Sequence, residues 1–128
     1  NGVSIEPYLA RPNGRELMIG VERDPTFGPI ITFGAGGTEV EIFSDRAVAL
    51  PPLNMSLARE LISRTRISRL LEGYREQPAA DLDAVCLTLL QVSQMMIDIP
   101  EIIELDINPL LASPEGIVAL DARVVVRE

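Results

Sequence analysis

The sequence predicts an α+β fold, a mostly antiparallel sheet with helices packed on one face, and three features carry that prediction. The first half breaks into short apolar runs separated by Gly and Pro turn signals, as an antiparallel meander does. A stretch from about Asp81 to Ile97 repeats apolar residues at three- and four-residue spacing, the period of an amphipathic helix. The last stretch alternates apolar and polar residues on both sides of Ser113-Pro114-Glu115-Gly116, whose Pro and Gly suit the second and fourth positions of a turn, so it reads as a β-hairpin.

Taken in order, Val3 to Leu9 reads as a strand, and Gly14 turns the chain into a second at Glu16 to Glu22. Pro25 to Pro29 is the next turn and Ile30 to Phe33 the next strand, after which Gly34 to Gly37 turns again ahead of Glu39 to Phe43. Glycine runs of this kind cradle phosphate when a helix N-terminus follows them; here the sequel is strand-like, so they read as a tight turn needing positive φ. Pro51-Pro52 closes the sheet region. Asn54 or Ser56 is placed to cap a helix from about Leu57 to Arg64, and a short helical piece from Ser68 to Glu72 stops at Gly73. In the long helix Leu82, Val85, Cys86, Leu89, Val92 and Met96 make a core stripe, with Met95 and Met96 expected to fill gaps against the sheet. Pro100 then ends it.

Composition narrows the function classes. At 128 residues the chain is expected to form a single domain, residues 1–128, with one core. Its hydrophobic fraction of 47% is ordinary for a globular domain, and no apolar run approaches the ~20 residues of a membrane span. With no basic N-terminal signal region, a soluble cytoplasmic protein is expected. The single Cys86 excludes an internal disulfide and, lying on the helix stripe, reads as a buried structural thiol. A net charge of −8 argues against nucleic acid as a partner, because a phosphate backbone requires a basic face. The 11 cationic side chains are all Arg, and there is no His.

The hairpin carries the chemistry. Folded symmetrically about its turn, it sets Asn108 opposite Asp121 and Asp106 opposite Arg123, with Cβ atoms of opposed residues roughly 4.5 to 5.5 Å apart. Leu105, Ile107, Pro109 and Leu111 then share the other face with Val118, Leu120 and Ala122 and are expected to lie on the core. Two readings fit the polar face equally. Asp106, Asn108 and Asp121 supply the few oxygen ligands that Mg²⁺ takes from protein when phosphates and water complete its shell. Alternatively, Asp106 and Arg123 form an exposed cross-strand ion pair while the other two solvate the hairpin.

The string Glu104-Leu105-Asp106-Ile107-Asn108-Pro109-Leu110, followed by Leu120-Asp121-Ala122-Arg123, resembles the nucleotide-binding region of ADP-forming acyl-CoA synthetases and of succinyl-CoA synthetase β subunits, which are ATP-grasp proteins. Arg15 to Val21, Asp24 to Pro29 and Phe33 to Glu41 look like the same family in the same order, so the resemblance covers nearly the whole chain. It implies the C-terminal subdomain of an ATP-grasp module, with ATP and Mg²⁺ as cofactors and with Asp106, Asn108 and Asp121 holding the metal. It also implies that Glu6-Pro7-Tyr8-Leu9 belongs to the hinge near adenine, truncated here at Asn1, so Glu6 and Tyr8 are candidate nucleotide contacts. Glu6 reads equally as an edge-strand residue. Arg46, in the polar stretch Ser44-Asp45-Arg46, is either a phosphate contact or, more simply, a solvated turn residue.

In that family a phosphohistidine relays the phosphoryl group and a second lobe covers the nucleotide. Neither is in this sequence, so no catalytic residue is expected here, and the chain alone is not expected to turn over. Its expected partners are the remaining ATP-grasp lobe and CoA-binding domains, with oligomerisation possible. The wording of Phe33 to Glu41 and Asp45 to Leu53 most resembles bacterial synthetase-like proteins fused to a GNAT-type acetyltransferase, which leaves a ligand-sensing regulatory module, or a purely structural assembly domain, as alternatives.

Overall fold

The computed structural model describes residues 14–37, 45–73 and 78–127. The expected strands at Val3 to Leu9 and Glu39 to Phe43 lie outside these residues. Within them the chain runs β1 (Arg15–Asp24), β2 (Gly28–Ala35), β3 (Arg46–Ala49), α1 (Met55–Ser63), α2 (Ile67–Leu71), α3 (Leu82–Asp98), β4 (Ile102–Ser113), β5 (Gly116–Ala119) and β6 (Ala122–Val126). All strand pairs are antiparallel, in the order β3-β2-β1-β4-β5, with β6 pairing β4 beyond the end of β5. Helices pack on one face, as the sequence predicts.

Each connection has a local cause. Between β1 and β2 the Asp24 carboxylate accepts from the Thr26 and Phe27 N–H groups at 2.8 and 2.9 Å, and Gly28 takes φ +76° to re-enter the sheet. Asn54 is the N-cap of α1, its Oδ1 accepting from Leu57 N at 2.8 Å. Asp81 caps α3 through Ala84 N at 3.1 Å. At the other end of α3 the Arg23 guanidinium donates to the carbonyls of Met96, Ile99 and Ile102 at 2.7, 3.1 and 2.6 Å. Met96 and Ile99 lie at the end of the helix, where carbonyls lack intrahelical partners, and Ile102 opens β4, so the fork ties α3 to the start of β4.

The core forms between the sheet and the helices. Leu17, Ile19 and Val21 of β1 and Ile31 and Phe33 of β2 meet Leu61 of α1, Leu71 of α2 and the α3 stripe Val85, Cys86, Leu89, Val92 and Met96. Met95 departs from expectation. It is 36% exposed, because one residue turns the side chain about 100° around the helix, away from the sheet that buries Met96.

The hairpin register is as predicted. Ala112 pairs with Ile117 and Leu111 with Val118, and beyond β5 the same register continues through Asp106 opposite Arg123. The predicted apolar face, however, needs correction. Leu105 and Ile107 face the core, but past Asn108 it is Leu110 and Ala112 that join it, not Pro109 and Leu111. The reason lies on the neighbouring strand. Leu17 pairs with Leu110 and Ile19 with Ile107, so one step of two residues on β1 spans three on β4. The extra residue is a β-bulge at Asn108-Pro109, and one extra residue exchanges the two faces of everything after it. Leu120 and Ala122 also lie outside the core, Ala122 being exposed although it pairs with Ile107.

Burial holds the Cys86 thiol above its ordinary range, with Arg59 opposing and Asp83 adding to the shift. The raised value favours the protonated thiol in the folded state, so its contribution to stability is complete below the ordinary thiol value of 9.0 and is lost as pH climbs through the folded value. The difference in denaturation midpoint between the native chain and Cys86→Ala should therefore shrink when measured above that pH. Leu105→Ala should cost about 2–5 kcal/mol in urea unfolding, whereas Leu120→Ala should cost clearly less, because only Leu105 leaves a cavity in the core.

Candidate metal and nucleotide site

The face of the sheet turned away from the helices is where the polar residues gather. Alternation on β1 sends Leu17, Ile19 and Val21 to the core and leaves Glu16, Met18, Gly20 and Glu22 on the opposite side. A groove of about 240 Å³ runs over Gly20, lined by Glu22, Thr32, Arg46, Glu104, Asp106 and Arg123 among others.

Asp106 is among its lining residues, paired with Gly20 on β1 and Arg123 on β6. The Asp106–Arg123 ion pair of the alternative reading is not formed. The Arg123 guanidinium turns along the strand to Glu104, with Nη2 at 3.4 Å from Oε1, which leaves the half-buried Asp106 carboxylate without a hydrogen bond or ion pair among the described residues. Both ends of the Glu104–Arg123 pair are well exposed, so it stabilises little.

Asn108 and Asp121 are neighbours across the hairpin: Asn108 N donates to Asp121 O at 3.0 Å, and Leu120 N to Pro109 O at 3.0 Å. Asp121 is exposed and Asn108 half-buried. The Asn108 carboxamide reaches across β1 to the glycine turn, where Oδ1 accepts from Gly37 N at 3.0 Å.

Arg46 is not a turn residue. It opens β3, opposite Gly34 on β2, and its side chain lines the groove. The preceding residue fixes it there. The Asp45 carboxylate accepts from Arg66 N and Ile67 N, both at 2.8 Å, at the start of α2, while its carbonyl accepts from Ala35 N at 3.1 Å. Glu6 and Tyr8 lie outside the described residues.

Sequence reasoning missed two members of this face. Glu16 lies beside the glycine turn, its carbonyl accepting from Gly36 N at 2.8 Å. Glu104 is the partner that draws Arg123 off Asp106. Period-two alternation places both on the same face as Asp106, and that signal was in the sequence. What it did not show is which carboxylate an Arg chooses.

Oxygen donors dominate the set, which suits a hard cation such as Mg²⁺. Among the described residues no three acidic, His or Cys side chains converge to hold a metal by themselves, so a cation here would need further ligands such as phosphate and water. The unpaired Asp106 carboxylate, flanked in the groove by Arg46 and Arg123, fits a cation that arrives together with an anion.

The sequence pattern of the ATP-grasp domain matches residues 1–126. The chain belongs to the ATP-grasp family. This ATP-grasp chain is 39% identical over 127 residues to acetate–CoA ligase (ADP-forming) I of Archaeoglobus fulgidus, covering 99% of its own length and 18% of that protein. It is 40% identical over 129 residues to the β subunit of acetate–CoA ligase (ADP-forming) II of Pyrococcus furiosus, covering 98% of itself and 54% of the subunit. Among solved structures, dinucleotide forming acetyl-coenzyme A synthetase 1 of Ca. Korarchaeum cryptofilum, in complex with coenzyme A and Mg-AMPPCP, matches with a TM-score of 0.85 at 39% identity over 91% of this chain and 55% of that one. In that structure a phosphohistidine segment points towards the nucleotide binding site. The ATP-grasp chain thus spans about half of the β subunit and under a fifth of the longer ligase.

Asp45→Ala should lower stability by about 1 kcal/mol in urea unfolding, as the loss of a capping carboxylate does, with Asp45→Asn recovering part of it.

Proposed function

We propose that this chain is the Mg²⁺·ATP-binding subdomain of an ADP-forming acyl-CoA synthetase, an acid–thiol ligase that interconverts acid, CoA and ATP with acyl-CoA, ADP and phosphate. The observation that carries the proposal is the Asp106 carboxylate, half-buried in a groove between two Arg side chains and paired with neither. A carboxylate in that state is prepared for a cation, and the guanidinium groups beside it for the phosphates that accompany one.

Asp106, Asn108 and Asp121 would hold the metal, which when bound neutralises charge on the nucleotide phosphates. Asp106 would supply an unpaired anionic oxygen from the groove lining, and Asn108 and Asp121, neighbours across the hairpin beyond that lining, would complete the protein's share. Arg46 is proposed as a phosphate contact, because β3 carries it to the same groove. In the first segment, Glu6 and Tyr8 are proposed as nucleotide contacts. The phosphohistidine, the covering lobe and the CoA site belong to partner domains or subunits, and the reading places the protein in the cytoplasm with its substrates. Among the described residues no helix is long and apolar enough to cross a membrane.

Asp121→Asn and Asp106→Asn, made in the full-length protein, should each weaken Mg²⁺·ATP binding measured by calorimetry while shifting the thermal midpoint little, because both changes keep shape and lie away from the core. Unchanged binding in both would leave the solvated-hairpin reading standing. The chain by itself should form no acyl-CoA from acid, CoA and ATP in a coupled assay, and formation would contradict the assignment of the acceptor to another domain.

A further inference from the structure

At the end of β2 and in the glycine turn that follows it, two positions have no room for a Cβ against main chain and a third holds a backbone conformation that favours glycine. A Cβ on Gly34 would collide with the Asp45 carbonyl oxygen. One on Gly36 would collide with the Leu17 carbonyl oxygen and stand 2.9 Å from Asn108 Oδ1. Gly37 takes φ +81°, and a Cβ there would run into the Glu16 carboxylate. Gly34 lets β3 close against the end of β2, and Gly36 and Gly37 bring the turn in against β1 and Asn108.

Where it is brought is the Asn108 carboxamide, 71 residues away in sequence, which receives the Gly37 N–H at 3.0 Å. A carboxamide has two ends of nearly equal shape, one accepting and one donating. Rotated by half a turn, Asn108 would offer its NH₂ to any cation and lose it as a ligand. A main-chain N–H cannot pair with that NH₂, so the Gly37 amide admits only the orientation with oxygen inward. It occupies one lone pair of Oδ1 and leaves the other.

We infer that the Gly34–Gly37 turn is a positioning element for the metal site, in which the Gly37 N–H selects the ligating orientation of the Asn108 carboxamide. This rests on the functional reading above, with Gly37 acting through Asn108 and touching neither metal nor substrate. Partners that orient a metal ligand commonly contribute about 10–100-fold to metal affinity.

The test uses the full-length protein and Mn²⁺, alone and with a non-hydrolysable ATP analogue, followed by electron paramagnetic resonance. Replacing Gly37 by glycolic acid exchanges its amide for an ester, removing the N–H while adding no atom and keeping φ free. Mn²⁺ should bind about tenfold or more weakly, the thermal midpoint should move little, and the Asn108 side-chain amide resonances should shift. Gly36→Ala, which crowds Oδ1 directly, should also weaken Mn²⁺; if it fails to fold, the ester variant decides. Native Mn²⁺ affinity in the ester variant, with Asp106→Asn weakened, overturns this inference and spares the metal site. Native affinity in both overturns the metal site, and the positioning role with it.

Discussion

One extra residue in β4, set against β1 at Asn108-Pro109, determines what each face of the sheet does. Before it, Leu105 and Ile107 fill the core and Asp106 points to the groove; after it, Leu110 and Ala112 take over the core. The bulge lies between the two middle strands, so it cannot slip without moving Leu17 and Ile19, both fully buried. A polar side chain placed at such a point inherits the rigidity of the core beneath it. Asn108 occupies that point, and its carboxamide is further held by a main-chain donor from β2's exit turn.

Helix and sheet layers are coupled to the groove by the same economy of contacts. Asp45 receives two amides of α2 and, one residue later, the chain delivers Arg46 to the groove. The Leu53 amide finds the buried Ser93 hydroxyl of α3 at 3.0 Å, anchoring the segment between β3 and α1.

Much of this was legible beforehand. The α3 stripe, the Asn54 cap, the hairpin register and its turn follow from local rules, because period, capping chemistry and turn chemistry each act over a few residues. The polar ends of β4 and β6 were readable for the same reason. What escaped was non-local. The bulge is defined by β1, 90 residues earlier in the chain, so strict alternation carried Leu111 to the wrong face. The choice of Glu104 over Asp106 by Arg123 depends on side-chain direction along a strand. The use of Gly37 as a donor to Asn108 joins two segments whose sequences separately suggest only a turn and a ligand.

Arg23 shows what an all-arginine complement of cations means for such a domain. Its planar fork engages three main-chain carbonyls, and Arg15 and Arg64 likewise donate to carbonyls, of Leu70 and Pro78 and of Val48. These contacts join a permanent cation to neutral dipoles, so neither protonation of carboxylates in acid nor deprotonation of an ammonium in base removes them. Added salt, which screens exposed ion pairs first, acts on them weakly because the acceptors carry no net charge. The seams that these three arginines close are thereby insulated from the ionic conditions that govern the groove on the other side.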